Sequence, residues 1–200
     1  MTSLTQSKYI MLTCLICFSM PAITQILSLV FYPPDISSEY PRYSPDFVLI
    51  LQLGMAFLLI GLSILGMKAE EERQILAAGG FTAQAIALGL AGVGLFEITS
   101  VTNKETYEKF YYITVTSNFL YFPSQLLIAT YTKFWRWLRI VGFIASFPLL
   151  ISTILFVAKY RNFQVLEIIS SLGYIFIFLV QLGWAWNIYA NYKNEVEITK

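Results

Sequence analysis

Six long stretches of this sequence carry no charged side chain, and they constrain the fold more strongly than any other feature. Each stretch is 19 to 26 residues long. They cover 9–34, 47–67, 74–96, 110–132, 140–158 and 168–192. A helix that crosses a membrane needs about 20 consecutive apolar residues, because each residue adds roughly 1.5 Å to its length. The sequence therefore predicts six membrane-spanning helices.

The composition supports this interpretation, since 57% of the residues are hydrophobic and 12% are charged, against about 25% charged residues in soluble domains. Helices and closed barrels are the folds that satisfy every backbone polar group in lipid, and the six stretches are too long for barrel strands. We therefore expect an all-α integral membrane protein, a six-transmembrane-helix bundle forming a single domain over 1–200. The expected helices cover about 9–32, 47–67, 74–98, 110–132, 138–158 and 166–190.

Lysine and arginine are distributed unevenly between the two sides of this arrangement. Eight share a side with both termini: Lys8, Lys68, Arg73, Lys133, Arg136, Arg139, Lys193 and Lys200. Five lie on the opposite side: Arg42, Lys104, Lys109, Lys159 and Arg161. Positively charged loops favour the cytoplasm, so we expect both termini there. The short loops are typical of small bacterial membrane proteins, so we expect a multi-pass protein of a bacterial-type inner membrane or plasma membrane.

Several function classes are excluded by what the chain lacks. It contains no histidine, and its net charge of +1 provides no basic face for nucleic acid. Asp35 and Asp46 are its two aspartates, whereas an enzyme that handles a magnesium diphosphate needs clustered acids. Cys14 and Cys17 form a C-x-x-C pattern inside an apolar stretch, where a reactive thiolate is disfavoured. We therefore expect no nucleic-acid partner, no cofactor and no metal site, and we favour a binding role over an enzymatic one.

The third predicted helix carries a small residue at every fourth position. These residues are Gly79, Ala83, Ala87 and Ala91. Small residues let two membrane helices approach closely, and helix packing in lipid depends on such contacts. Two interpretations stay open: the stripe packs against other helices of the same chain, or it forms the seam of a homo- or hetero-oligomer.

Three predicted helices contain a proline near the middle, namely Pro21, Pro123 and Pro148. Proline removes one backbone hydrogen bond and tends to kink a helix. Hydroxyl or amide side chains follow each of these prolines, and such groups can bond the carbonyl groups that the prolines free. Broken helices mark binding sites in transporters, but kinks of purely structural origin are an equally simple explanation.

Polar side chains recur at helical spacing on the fourth and sixth predicted helices. Steps of three, four and seven residues place such a set on one helix face, which we expect to point into the bundle. With one amide each from the first and third predicted helices, they form the candidate binding set. The set comprises Gln25, Gln84, Asn118, Tyr121, Gln125, Glu167, Ser171, Tyr174 and Gln181. Polar residues within a membrane are functional candidates, although they also simply join helices.

Two carboxylates lie at helix ends on the side opposite the termini. Glu97 ends the third predicted helix and Glu167 begins the sixth. They are either an access site for a cation or a proton, or interfacial carboxylates in contact with water. We rank Glu167 first because it continues the polar stripe of its helix, whereas glycine and aliphatic residues precede Glu97. Glu97 is kept as a secondary candidate.

These features lead to one main hypothesis and two alternatives. The main hypothesis is a protein that binds or passes a small molecule, lipid or ion through a polar pocket between the first, third, fourth and sixth predicted helices. The alternatives are a structural or accessory subunit of a larger membrane complex and a membrane-embedded lipid-modifying enzyme. A cavity among Gln25, Gln84, Asn118 and Gln181 would favour the main hypothesis. The expected partners are membrane lipids and a small-molecule or ion ligand.

Overall fold

The computed structural model describes the backbone of residues 4–35, 42–98 and 104–198, and the side chains of 8–35, 42–94 and 105–193. Within these ranges the regular elements are helices, which confirms the all-α prediction. They are α1 (Leu4–Phe31), α2 (Pro45–Glu71), α3 (Ile75–Ile98), α4 (Lys104–Tyr131), α5 (Arg136–Ala145), α6 (Phe147–Val157) and α7 (Phe163–Ile198).

Five helical segments are long and apolar enough to cross a membrane, as expected for an integral, multi-pass membrane protein. They are Lys8–Phe31, Pro45–Glu71, Ile75–Gly94, Arg136–Val157 and Phe163–Lys193. α4 is long enough but is not among them, because polar residues interrupt its apolar stretch. Four of these, Ser117, Asn118, Ser124 and Gln125, are buried inside the bundle. The count of six spans and the side on which the termini lie therefore remain predictions.

Several helices extend beyond the charge-free stretches because charged residues lie within their last or first turns. α2 continues through Lys68 to Glu71, and α4 begins at Lys104. Long charged side chains at a helix end reach the polar interface, so they need not end the helix. Charge-free stretches therefore locate helices better than they locate helix ends.

The fifth predicted helix, expected over 138–158, is broken at Ser146 into α5 and α6. Pro148 has no N–H to donate to the carbonyl of Ile144, which accounts for the break at this place. α1 and α4 behave differently, because both continue as helices past Pro21 and Pro123.

The hydroxyl groups that follow the prolines form local hydrogen bonds. Thr24 Oγ1 donates to the Met20 carbonyl at 3.0 Å, and Ser124 Oγ donates to the Tyr121 carbonyl at 2.6 Å. These acceptors lie three or four residues before the hydroxyl, whereas a proline frees the carbonyl four residues before itself. Thr24 and Ser124 therefore do not bond the carbonyls that Pro21 and Pro123 free.

The helical segments form a closed ring. Each segment packs against its neighbours in sequence, α5 and α6 together lie between α4 and α7, and α7 returns to α1. Tight turns join α2 to α3 and α6 to α7. α2 ends in a Schellman cap in which Arg73, at φ 60°, donates to Glu70 and Gln74 donates to Ala69. α6 ends in the same way at Lys159, whose φ is 65°.

α3 and α4 approach each other most closely where α3 carries small residues. A Cβ atom on Gly80 would lie 2.9 Å from Ile128 Cγ1, and one on Gly94 would lie 2.8 Å from Thr114 Oγ1. Between these points Ser117 Oγ donates to the Ala87 carbonyl at 2.6 Å. The contact therefore follows Gly80, Ala87 and Gly94, which are spaced seven residues apart.

Aromatic side chains fill the ring interior. Trp184 packs against Phe18, Phe81 and Phe134, with ring centroids 6.0, 5.8 and 5.4 Å apart. We call these four residues the aromatic cluster. It lies toward the end of the bundle that contains Lys68, which we call the Lys68 end. The opposite end, where α7 begins, we call the Glu167 end.

Candidate functional site

A cavity of about 100 Å³ lies inside the ring at the Glu167 end, and we call it the Glu167 cavity. Its walls are formed by residues of α1, α2, α3, α4 and α7. The α2 side is apolar, with Phe47, Leu51 and Met55. Polar side chains from α1, α4 and α7 face this apolar wall.

Two described residues of the first loop, Pro34 and Tyr43, line the Glu167 cavity. The two ends of this loop are held together because Asp35 and Arg42 exchange backbone hydrogen bonds of 2.9 Å. Ser44 then caps α2 by accepting from the Phe47 N–H at 3.1 Å. These two contacts fix Tyr43 against the ring of Phe47, 5.1 Å between centroids, with its side chain in the cavity wall.

Among the described residues that line the cavity, Glu167 is the only one with a charged side chain. It lies in the second turn of α7 and is followed along the same wall by Ser170, Ser171 and Tyr174. Burial raises the pKa of Tyr43 well above its ordinary value, and the neighbouring Glu167 carboxylate raises it further. The Tyr43 phenol therefore keeps its proton beside this carboxylate.

Three buried hydroxyl groups in the cavity wall form no hydrogen bond of ordinary geometry with another described residue, although Glu167 lies beside the Tyr43 hydroxyl and Ser170 lies beside that of Tyr111. The three groups belong to Tyr43, Tyr111 and Thr114. A buried polar group without a partner costs roughly 1–3 kcal/mol of stability. Such groups are therefore expected to bond water or a ligand, and a hydroxyl oxygen is also a suitable ligand for a small cation.

On the Lys68 side of the cavity, two side-chain hydrogen bonds join α4 and α7 across the ring interior. Tyr174 donates to Asn118 Oδ1 at 2.6 Å, and Gln181 Nε2 donates to the Tyr121 hydroxyl at 3.2 Å. In the part of the chain that the structure describes, α4 and α7 both contact α5 and α6 but do not contact each other's backbone. Long side chains therefore span the interior at two levels.

The amide groups at this depth are only partly satisfied. Asn118 Nδ2, Gln125 Nε2 and Gln181 Oε1 are buried without a hydrogen-bond partner among the described residues, as are both side-chain atoms of Gln84. Phe81 and Trp184 pack together one turn away, so Gln84 and Gln181 lie at about the same depth. The interior thus contains hydrogen-bond donors and acceptors that have no partner among the described residues.

The structure separates the predicted binding set into two groups. Gln25, Glu167, Ser171 and Tyr174 line the Glu167 cavity. Gln84, Asn118, Tyr121, Gln125 and Gln181 are buried deeper, and the Glu167 cavity does not reach them. Tyr174 connects the two groups, because its ring lines the cavity and its hydroxyl bonds Asn118.

The other candidates from the sequence are Glu97 and the small-residue stripe of α3. Glu97 lies outside the residues whose side chains the structure describes. In the small-residue stripe of α3, Ala87 and Ala91 are buried within the chain, Ala83 is half-buried and Gly79 is exposed. The stripe therefore does not form a single face.

Sequence reasoning missed four polar residues near these positions. Tyr43 lies in a loop, where no periodicity indicates the direction of a side chain. Thr114 was not singled out for the binding set, although it belongs to the polar stripe of α4. Asn187 and Asn191 lie four residues apart further along α7, but Asn187 is six residues after Gln181, so the spacing places them on a different face of the helix from the stripe.

The described residues contain no group of three or more cysteine, aspartate or glutamate side chains that could hold a metal ion. Cys14 and Cys17 are buried and not joined by a disulfide bond. No family model, curated protein or solved structure matches this chain. The function is therefore inferred from the chemistry of the cavity.

Proposed function

We propose that this protein binds a small cation in the Glu167 cavity and passes it along the polar residues between α4 and α7. The observation that carries the proposal is the charge of the cavity wall, in which Glu167 is accompanied by hydroxyl and amide groups and, among the described residues, by no lysine or arginine. Glu167 is half-buried, and a carboxylate partly removed from water is stabilised by a partner of opposite sign. A cation supplies that partner and takes hydroxyl oxygens of Tyr43, Tyr111 and Thr114 as ligands.

The size of the cavity favours a cation over a lipid or a large solute. Its volume is about 100 Å³, whereas pockets for drug-sized molecules measure roughly 300–1,000 Å³. A water molecule takes about 30 Å³ in the liquid. The cavity therefore suits a metal cation with a few waters or a small ammonium ion. The rings of Tyr43, Tyr111 and Tyr174 favour an ammonium ion further through cation–π attraction.

The deeper polar residues support passage beyond the cavity. Tyr174, Asn118, Gln181 and Tyr121 form two hydrogen-bonded levels below Glu167, and unpaired amide atoms remain at the same depth. The aromatic cluster then fills the interior on the Lys68 side. This arrangement corresponds to a form that is accessible from the Glu167 end and closed toward the Lys68 end.

The proposed topology has six spans, with α4 as the fourth and α5 with α6 as the fifth. The low hydropathy of α4 is compatible with this count, because its Ser117, Asn118, Ser124 and Gln125 face the interior rather than lipid. Both termini and the Lys68 end then lie in the cytoplasm of a bacterial-type inner membrane or a plasma membrane. The Glu167 end faces outward.

Calorimetric titration of the purified protein in nanodiscs tests the proposal. We expect saturable binding of sodium or methylammonium ions, and no binding of tetraethylammonium, which is too bulky for the cavity. Glu167→Gln should weaken binding by about 10- to 100-fold, the equivalent of losing one charged hydrogen-bonding group. Glu105→Gln is the matched control, because this glutamate lies on an exposed turn at the same end.

Two results would contradict the proposal. One is equal affinity of the parent protein and Glu167→Gln for the small cations. The other is equal weakening by Glu167→Gln and Glu105→Gln, which would show that cations merely collect at an acidic surface. Thermal unfolding of each variant establishes that both are folded in these measurements.

A second candidate function, an oligomer or a subunit of a membrane complex, is favoured by one feature of α3. Gly79 and Gly89 have open space where a Cβ would lie, with no atom within 4 Å in the described chain. A partner helix can approach closely at such positions. Native mass spectrometry of Gly79→Leu and Gly89→Leu tests this candidate, which predicts that both variants lose an oligomer seen for the parent.

A further inference from the structure

A second, larger cavity lies at the Lys68 end of the bundle, and the proposed cation site does not use it. Its volume is about 450 Å³. The N-terminal parts of α1 and α3, the end of α2, the turn before α5 and the last part of α7 form its walls. We call it the Lys68 cavity.

Asn187 lines this cavity with an unsatisfied group. Its side chain is 1% exposed, and its Oδ1 accepts from Asn191 Nδ2 at 3.4 Å. Its Nδ2 group, which can only donate, has no partner among the described residues. A buried donor is normally hydrogen-bonded. Asn187 Nδ2 can therefore donate a hydrogen bond to an oxygen atom of a ligand in this cavity.

The charges around Asn187 are mostly positive. Lys68 and Lys133 both line the cavity, together with a single carboxylate, Glu72. Glu72 is shared, since it accepts from Lys133 at 3.2 Å and from Gln74 at 2.7 Å. Lys68 has no ion-pair partner in the part of the chain that the structure describes. An anionic group bound in this cavity would therefore pair with Lys68.

The rest of the cavity wall is apolar. Phe81 and Phe134 belong to the aromatic cluster and form its inner side, and Met11, Leu65 and Ile188 lie around them. The cavity thus has donors and positive charge at one side and hydrocarbon at the other. Its volume falls within the roughly 300–1,000 Å³ of ordinary ligand pockets.

We propose that the Lys68 cavity binds an anionic amphiphile, with its phosphate or carboxylate head against Lys68, Lys133 and Asn187 and its hydrocarbon part against Phe81 and Phe134. Such a molecule is either an anionic phospholipid or a free amphiphilic anion. Both sources present the same chemistry to the cavity. The site is independent of the cation site, since it shares no lining residue with the Glu167 cavity.

Equilibrium titration with dodecyl phosphate, on the purified protein in a neutral maltoside detergent, tests this site. We expect saturable binding, with no comparable binding of dodecyltrimethylammonium. Lys68→Glu and Asn187→Leu should each weaken binding by about 10-fold or more, since each removes a charged or buried hydrogen-bonding partner of the head group. Arg136→Glu makes the same charge change as Lys68→Glu at an exposed position outside the cavity, and it should alter the affinity by less than about 2-fold.

The proposal is overturned if Lys68→Glu binds dodecyl phosphate as tightly as the parent, or if Arg136→Glu weakens binding equally. It is also overturned if the cationic amphiphile binds as well as the anionic one. Lys68 is exposed, so this variant decides the outcome even if Asn187→Leu fails to fold. Titration in phosphatidylglycerol nanodiscs then separates the two sources. If phosphatidylglycerol occupies the cavity, dodecyl phosphate no longer binds in these nanodiscs, and the site is assigned to phospholipid. If dodecyl phosphate still binds there, the site is assigned to a free amphiphilic anion.

Discussion

At the residue scale, Tyr43 shows how a loop residue becomes part of a cavity inside a membrane protein. Its hydroxyl is buried beside Glu167, although the residue precedes the first turn of α2. Burial disfavours the charged phenolate, and the nearby carboxylate disfavours it further. The phenol therefore remains a hydrogen-bond donor at neutral and moderately alkaline pH.

This environment predicts a pH-dependent contribution of Tyr43 to stability. The pKa of Tyr43 is higher in the folded chain than the roughly 10 of an unfolded tyrosine. Its contribution is therefore complete below about pH 10 and is lost as the pH rises above that value, because the unfolded chain then releases the proton more readily. The thermal unfolding midpoint of Tyr43→Phe should fall less steeply above this pH than that of the parent. Tyr9→Phe, at an exposed position, is the matched control and should follow the parent.

At the residue scale, the sequence groups side chains by helix face, but it does not assign them to a cavity. The spacing of Glu167, Ser171 and Tyr174 on α7 predicts that they share a wall, and all three line the Glu167 cavity. The same spacing includes Gln181, which instead bonds Tyr121 on α4. Periodicity gives the direction of a side chain around its helix, whereas the partner across the bundle depends on how the helices pack.

At the element scale, α3 shows why a strict four-residue spacing misleads over several turns. Each step of four residues advances about 40° beyond a full turn, because a helix has roughly 3.6 residues per turn. Gly79 and Ala91 are three such steps apart, so they point to different sides of α3. A seven-residue step returns to within about 20° of the same direction, and Gly80, Ala87 and Gly94 follow that step in the contact with α4.

Two adjacent glycines of α3 therefore provide a matched pair of substitutions. A Cβ on Gly80 would lie 2.9 Å from Ile128 Cγ1 and 3.1 Å from the Ser124 carbonyl oxygen. Gly80→Ala should destabilise the protein by about 1–3 kcal/mol, because the α4 backbone must move. Gly79→Ala meets no atom within 4 Å and should be neutral or stabilising by up to about 1 kcal/mol. Unfolding equilibria in mixed micelles measure both values, and equal effects of the two changes would contradict this account of the α3–α4 contact.

At the scale of the whole molecule, two cavities lie at opposite ends of one ring and the aromatic cluster separates them. The Glu167 cavity has a carboxylate and hydroxyl oxygens, and the Lys68 cavity has lysines and a free amide donor. The charge-free stretches were sufficient to predict the helical class of the fold. The closed ring, the break at Ser146 and the two cavities depend on contacts between distant helices, which a single sequence does not display.

The orientation of this ring, and with it the side that each cavity faces, depends on whether α4 crosses the membrane. Single cysteines at Glu71, Lys109, Arg136 and Lys159, all exposed, test this in a background with Cys14→Ala and Cys17→Ala. If α4 crosses and the termini are cytoplasmic, an impermeant thiol reagent added to intact cells should label Lys109→Cys and Lys159→Cys. Glu71→Cys and Arg136→Cys should react only after the membrane is permeabilised.

The pattern of labelling distinguishes each alternative. If α4 does not cross, Arg136→Cys becomes accessible from outside and Lys159→Cys becomes protected, because every segment after α4 is then inverted. If α4 crosses but the positive-inside assignment is wrong, all four positions exchange their accessibility. The Glu167 cavity would then open to the cytoplasm, and its cation would be taken up from that side. Eight lysines and arginines on the side of the termini against five on the other favour the first pattern, since cytoplasmic loops carry the excess of positive charge.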